Sequence, residues 1–190
     1  RVGLATKPLM VVPNHLVEQI AADFHRAYPA AKVLLPGDRS AKGRANLVSS
    51  VASGDWDAVV FSYELFKAIP VSSDAEIAYL EQRSDDLRAA LGAIGAQRGE
   101  RRRVKDIEKI VARFEETIKE LRDKPRDPTL TFEALGVDAL LADEAHYAKN
   151  LVLGGTNSEA AGATSQRALD LDLKLQLLRR PDGRRCPVVL

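Results

Sequence analysis

Short, unbroken apolar runs alternate with amphipathic stretches over the first third of the chain. Leu9-Met10-Val11-Val12, closed by Pro13, predicts a strand buried on both faces, as in a parallel sheet. From His15 to Tyr28 the apolar residues instead recur at Leu16, Ile20 and Phe24, one face of a helix that Asn14 can cap. Val33-Leu34-Leu35, stopped by Pro36-Gly37, reads as a second strand. A weaker helical pattern runs from Ser40 to Ala52 through Leu47, Val48 and Val51, and Ala58-Val59-Val60-Phe61 is a third strand. This alternation predicts βαβ units, hence an α/β fold with a parallel sheet and right-handed crossovers. It resumes beyond residue 130. Val137 to Ala142 is a strand and Ser165 to Arg179 a helix with Leu169, Leu173 and Leu177 on one face, Leu171 and Leu178 nearer its flanks. Pro187 to Leu190 would be the next strand.

The stretch between obeys a different period. Ile77, Leu80, Ser84, Leu87, Leu91 and Ile94 alternate spacings of three and four, and so do Val104, Ile107, Val111, Phe114, Ile118 and Leu121. Both are seams of the coiled-coil repeat, with charged residues on the remaining faces. The break at Gly95 to Gly99 is short enough to join antiparallel neighbours, and Pro125 and Pro128 close the second helix. The expected organisation is an α/β lobe from residues 1–70 and 126–190, with an inserted antiparallel helical hairpin over 71–125. Gly154 to Gly162 is small and polar and reads as a loop.

Composition narrows the partners. Hydrophobic residues make up 45% of the chain and aromatics 5%, so the core must be mostly Leu, Val, Ile and Ala. With 28 basic against 27 acidic residues the net charge is +1, and a nucleic-acid contact would have to come from a local patch. The one cysteine, Cys186, excludes an intrachain disulfide framework and suits a reducing, cytoplasmic setting. No apolar run approaches the roughly 20 residues needed to span a bilayer, and no signal peptide is visible. The chain begins at Arg1 and stops on the apolar Cys186-Pro187-Val188-Val189-Leu190, which reads as a fragment of a longer polypeptide.

The candidate chemistry lies where the Val137–Ala142 strand meets its loop, at Asp143-Glu144-Ala145-His146. Ligands of open α/β sheets bind beyond the carboxyl ends of the strands, so this is the edge where an acidic pair can act. Asp143 can hold a nucleotide-bound metal ion, directly or through water, and Glu144 can orient or deprotonate an attacking water. His146 can carry a change at the phosphates to another part of the protein. Taken as a bare dipeptide, an Asp-Glu pair in this place is far more often a polar turn after a strand. Pro13 and Asn14, at a helix start, and Ser62 and Tyr63, at a strand end, suit phosphate contacts that grip a nucleic-acid backbone without reading bases. Plain capping by Asn14 and a core tyrosine at position 63 are the alternatives there. At the turn of the hairpin, Arg98, Arg101, Arg102 and Arg103 could touch a DNA backbone or be a solvated loop.

Four segments in order resemble a known family. Val137-Asp138-Ala139-Leu140-Leu141-Ala142-Asp143-Glu144-Ala145-His146, with Lys149-Asn150 beyond, resembles motif II of superfamily-two DEAH-box helicases, especially the Swi/Snf-like group. Tyr147-Ala148 departs from that group's usual Arg-Ile. Lys7 to Leu16, with Gln19, resembles motif Ia. Asp57 to Glu64 resembles the family's strand ending in Thr-Thr-Tyr-Glu, with Phe61-Ser62 in place of the threonines. Cys186 to Leu190 resembles the strand that leads into motif III. The hairpin stands outside the resemblance.

The resemblance implies an incomplete, RecA-like first motor lobe of an ATP-dependent DNA helicase or translocase. It implies Asp143, Glu144 and His146 as catalytic residues, Asp143 and Glu144 on Mg²⁺, and Pro13, Asn14, Ser62 and Tyr63 against a DNA backbone. ATP and Mg²⁺ would be the cofactors of the full-length protein. DNA, bound without sequence specificity, and the motor segments before and after these residues would be the partners. No Gly-x-x-x-x-Gly-Lys-[Ser/Thr] phosphate loop occurs in the sequence, so this stretch alone is expected neither to hold ATP tightly nor to hydrolyse it. The alternative is a non-catalytic nucleic-acid or protein interaction module whose binding element is the hairpin. A nuclease or methyltransferase lacks support, since neither a Pro-Asp…Glu-x-Lys cluster nor a glycine-rich cofactor loop is present.

Overall fold

The computed structural model describes residues 5–37, 41–94, 101–123, 131–144, 146, 165–178 and 188–189. Five strands form one sheet: β1 (Pro8–Val12), β2 (Val33–Leu34), β3 (Ala58–Ser62), β4 (Ala139–Ala142) and β5 (Val188–Val189), in the order β2-β3-β1-β4-β5. Every pairing is parallel. The helices are α1 (Val17–Ala27), α2 (Ala41–Ser53), α3 (Tyr63–Ala68), α4 (Ser73–Ile94), α5 (Arg101–Asp123) and α6 (Gln166–Leu177). The α/β class read from the sequence is the observed one, and the all-parallel sheet fits an incomplete RecA-like lobe. The chain divides into two compact units. One holds Arg1–Ser72, Asp127–Tyr147 and Lys174–Leu190; the other holds Ser73–Arg126 and Ala148–Leu173.

In the sheet unit, β3 is buried at every position and Leu9, Val11 and Val12 of β1 are all but inaccessible, which is why both read as continuous apolar runs. Val12, Val60 and Val17 of α1 form a cluster that half-buried Met10, Leu16, Ile20 and Val33 complete. Asp138, expected inside the fourth strand, instead precedes β4 and uses its carboxylate as a clamp. It accepts from the Thr6 N–H and hydroxyl at 2.6 Å each and from the Lys7 N–H at 2.8 Å, tying the entry of β1 to that of β4. Lys7 Nζ donates to the Val51 carbonyl at 2.7 Å near the end of α2, where unpaired carbonyls favour a cation.

Three expectations shift. Asn14 does not cap α1. Pro13, with φ fixed near −54°, leads straight into a 3₁₀ turn, Asn14–Leu16, whose Leu16 N–H donates to the Pro13 carbonyl at 2.9 Å. The position before α1 is Leu16, which makes no side-chain cap, so the chain enters α1 through the tightened turn. The short helix α3 has no counterpart in the apolar pattern, although Ser62 followed by an acidic first turn is a start signal for one. The buried positions of α6 are Ala168, Leu171, Leu173 and Lys174, with Leu178 buried just beyond its end, so the stripe lies round the helix from the expected Leu169-Leu173-Leu177 face. A lysine is part of it. Lys174 is 0% exposed; its Nζ donates to the Phe66 carbonyl at 2.6 Å and lies 4.4 Å from the Phe66 ring centroid and 5.8 Å from that of Phe132. Those contacts replace water around the ammonium group.

In the other unit, α4 and α5 form the hairpin. Arg122 pairs with Glu81 at 2.7 Å and Arg88 pairs with Glu115, so moving forward along α4 moves the partner backward along α5, the signature of antiparallel packing. These exposed pairs report the register and contribute little energy. The seam does the holding: Leu80, Leu87, Ile107, Val111, Phe114 and Ile118 are all buried. Ser84, in the same seam, is 2% exposed and its hydroxyl has no hydrogen-bond partner. The segments from 95 to 100 and from 124 to 130, with the expected hairpin turn, Arg98 and the closing prolines, lie outside the described residues, as does the Gly154–Gly162 loop.

Within this unit Tyr79 donates to Asp172 Oδ2 at 2.7 Å, and Arg83 pairs with the same carboxylate while lying over the Tyr79 ring at 5.4 Å. Burial, aided by the hydrogen bond to Asp172, pushes the Tyr79 hydroxyl well above the ordinary tyrosine range. Burial works against the Arg83 charge, but the bonds to Asp172 and Tyr79 outweigh it and raise its pKa. A raised folded-state pKa means that the Tyr79 contribution is complete below about pH 10, the unfolded value, and is lost as pH rises above it.

Two outcomes follow for stability, both read from urea midpoints. Ser84→Ala is expected to stabilise the chain by about 1 kcal/mol, because it removes an unpaired buried hydroxyl and raises helix propensity. Tyr79→Phe is expected to cost about 1 kcal/mol at neutral pH and to flatten the fall of stability above about pH 10.

Candidate functional site

The register of three adjacent strands builds one edge. Val12 of β1 lies level with Ser62 of β3, and Val11 of β1 with Ala142 of β4. The chain therefore leaves β3, β1 and β4 at one height, and Ser62-Tyr63, Pro13-Asn14 and Asp143-Glu144 emerge side by side. β1 runs on to β2 on one side of it, and β4 runs on to β5 on the other. The point where connections diverge in this way, beyond the carboxyl ends of the two strands, is the usual ligand position in an open parallel sheet.

Asp143 is held by its backbone. Its N–H donates to the Val11 carbonyl at 2.9 Å, continuing the β1–β4 ladder one residue past the strand. Its own carbonyl accepts from the Tyr63 hydroxyl at 2.6 Å. The Asp143 and Glu144 side chains stay exposed. Glu144 adopts φ 58°, the one positive φ at a non-glycine position among the described residues. An L-residue there carries a steric cost that sheets and helices avoid, and such costs gather at functional turns. His146 Nδ1 lies 2.6 Å from Glu144 Oε2, with both side chains about half exposed (54% and 52%). Ala145 and residues 147–150, including Lys149 and Asn150, lie outside the described residues.

The remaining predicted residues fall at this edge in different roles. Asn14 is exposed at the first position of the 3₁₀ turn, directly after half-buried Pro13. Ser62 is 4% exposed, and its hydroxyl accepts from the Leu65 N–H at 3.3 Å as the cap of α3. Tyr63 reaches across to Asp143, a bond that the strand pattern gave no means of anticipating. Of the other histidines, His15 sits in the 3₁₀ turn and His25 is exposed on α1.

Among the described residues no group of three or more His, Cys, Asp or Glu side chains could by itself cage a metal ion. Nucleotide-bound magnesium does not need one, because it takes one or two carboxylates and completes its shell with phosphate oxygens and water. The oxygen donors of Asp143 and Glu144, exposed at the carboxyl end of β4, fit that requirement.

A family model described as a probable helicase domain matches residues 1–186. The chain belongs to this helicase family. The match spans nearly the whole sequence, so its bounds enclose the hairpin as well as the sheet edge. Comparison with curated proteins and with solved structures gave no match. No helix among the described residues of this helicase domain is long and apolar enough to cross a membrane.

The left-handed turn at Glu144 generates a prediction. Glu144→Gly is expected to stabilise the folded chain by up to about 1 kcal/mol in urea unfolding, since glycine adopts φ 58° without the Cβ clash. Ordinary surface glutamates changed to glycine should show no gain.

Proposed function

We propose that this helicase domain is part of the first motor lobe of a DEAH-box, superfamily-two protein with Swi/Snf-like character. In the full-length protein it would couple ATP hydrolysis to movement on DNA. The observation that carries the reading is the shared edge of β3, β1 and β4, where Ser62-Tyr63, Pro13-Asn14 and the acidic pair Asp143-Glu144 stand together. Family membership supports the helicase part of it.

On this reading Asp143 would hold Mg²⁺ with the nucleotide, and Glu144 would orient the attacking water and accept its proton. His146 would hold the Glu144 carboxylate through the close Nδ1–Oε2 approach and connect it to neighbouring segments. Bound Mg²⁺-ATP would supply the phosphoanhydride bond and the cation that offsets its charge. Pro13 and Asn14, with the Ser62-Tyr63 step beside them, would form the edge that follows a DNA backbone. Ser62 would shape that edge by capping α3, while main-chain N–H groups there meet phosphate without reading bases.

The experiment is Glu144→Gln in the full-length protein. DNA-stimulated ATP hydrolysis is expected to fall by at least about a hundredfold, while nucleotide binding, measured by equilibrium titration, survives. Hydrolysis equal to that of the unsubstituted protein would remove Glu144 from the role. A full-length protein with no DNA-stimulated ATPase at all would favour the non-catalytic interaction module.

A further inference from the structure

Tyr63 enters the proposed mechanism only as an edge residue, yet its hydroxyl is spent elsewhere. It donates at 2.6 Å to the main-chain carbonyl of Asp143, 80 residues away in sequence. The direction of that carbonyl is the orientation of the peptide plane between Asp143 and Glu144, and φ of Glu144 is one of the two torsions that set it. A hydrogen bond on the carbonyl therefore bears directly on the left-handed turn at Glu144. The other side of Asp143 is held by its N–H on the Val11 carbonyl, beside Pro13-Asn14. The phenol is itself well anchored. Tyr63 is the first residue of α3, Ser62 caps that helix, and Lys174 donates to the Phe66 carbonyl within it.

We infer that Tyr63 is a positioning residue for the Asp143-Glu144 turn, holding Glu144 in its left-handed conformation and linking the Ser62-Tyr63 edge to the acidic pair. A shift of the strand end at β3 is passed to the Glu144 carboxylate through one hydrogen bond and one peptide plane. Nucleic acid pressing on residues 62 and 63 thereby acts on the group proposed to activate water. This role rests on the proposed function, but the hold on Glu144 does not.

Two measurements separate them. The first needs no activity: urea unfolding of the chain with Tyr63→Phe, with Glu144→Gly, and with both. If the phenol holds a strained Glu144, its loss lets Glu144 relax and recover part of the cost. In the Glu144→Gly background nothing is left to relax, so Tyr63→Phe is expected to lower the urea midpoint more there than in the unsubstituted chain. Equal losses in the two backgrounds overturn the hold.

The second uses the full-length protein with ATP and duplex DNA. Tyr63→Phe is expected to lower DNA-stimulated kcat on the order of tenfold, with KM for ATP and the half-saturating DNA concentration within about twofold. Weakened DNA binding with unchanged kcat at saturating DNA overturns the inference and makes Tyr63 a direct contact. If the unsubstituted protein shows no stimulated hydrolysis, the proposed function and the link to it fall together, and the midpoints alone decide whether Tyr63 holds the turn.

Discussion

The parallel pairing of β1 with β3 on one side and β4 on the other is the constraint on which the rest of this molecule depends. A buried strand must satisfy its backbone groups through its neighbours, and a parallel one must also be covered on both faces. Leu9, Val11 and Val12 meet that demand through the register that sets Val12 against Ser62 and Val11 against Ala142. A slip of one residue would turn every side chain of β1 to the opposite face, so the register is fixed by packing. Because it is fixed, three loops leave the sheet at one level, and residues distant in sequence become neighbours.

Strain at Glu144 makes sense against that frame. The backbone of Asp143 is committed in both directions, by its N–H to Val11 and by its carbonyl to Tyr63. The next residue takes up a left-handed conformation that an unconstrained glutamate would avoid. A turn held in this way fixes the backbone that carries the Glu144 carboxylate, which His146 meets. A fixed backbone is part of what a group needs if it is to position a reacting water, so the geometry bears on the proposed role of Glu144 as well as on stability.

Two of the buried polar residues among those described, Lys174 and Ser84, are treated differently. Lys174 receives a carbonyl and two aromatic faces in the sheet unit, so its charge is answered. Ser84 receives nothing for its hydroxyl in the hairpin seam. The hairpin tolerates this because its helices are long and its other seam positions are well buried. The Tyr79-Asp172-Arg83 cluster adds a hydrogen-bonded contact between α6 and α4 within that unit.

Local pattern was sufficient to place the strands and the α/β class, because unbroken apolar runs and helical spacings each reflect which faces of an element are buried. It also placed Asp143-Glu144 at a strand's carboxyl end, since an apolar run followed by two acids can only be read one way along the chain. What it could not determine were interactions made between elements. The Asn14 cap failed because Pro13 steered the chain into a 3₁₀ turn, and the buried stripe of α6 was missed because a satisfied lysine looks polar in sequence. The left-handed Glu144, its approach to His146 and the Tyr63–Asp143 bond were likewise decided only by tertiary structure. The Tyr63–Asp143 bond in particular depends on where β3 and β4 end relative to one another, and that level is set by side chains packing across the sheet.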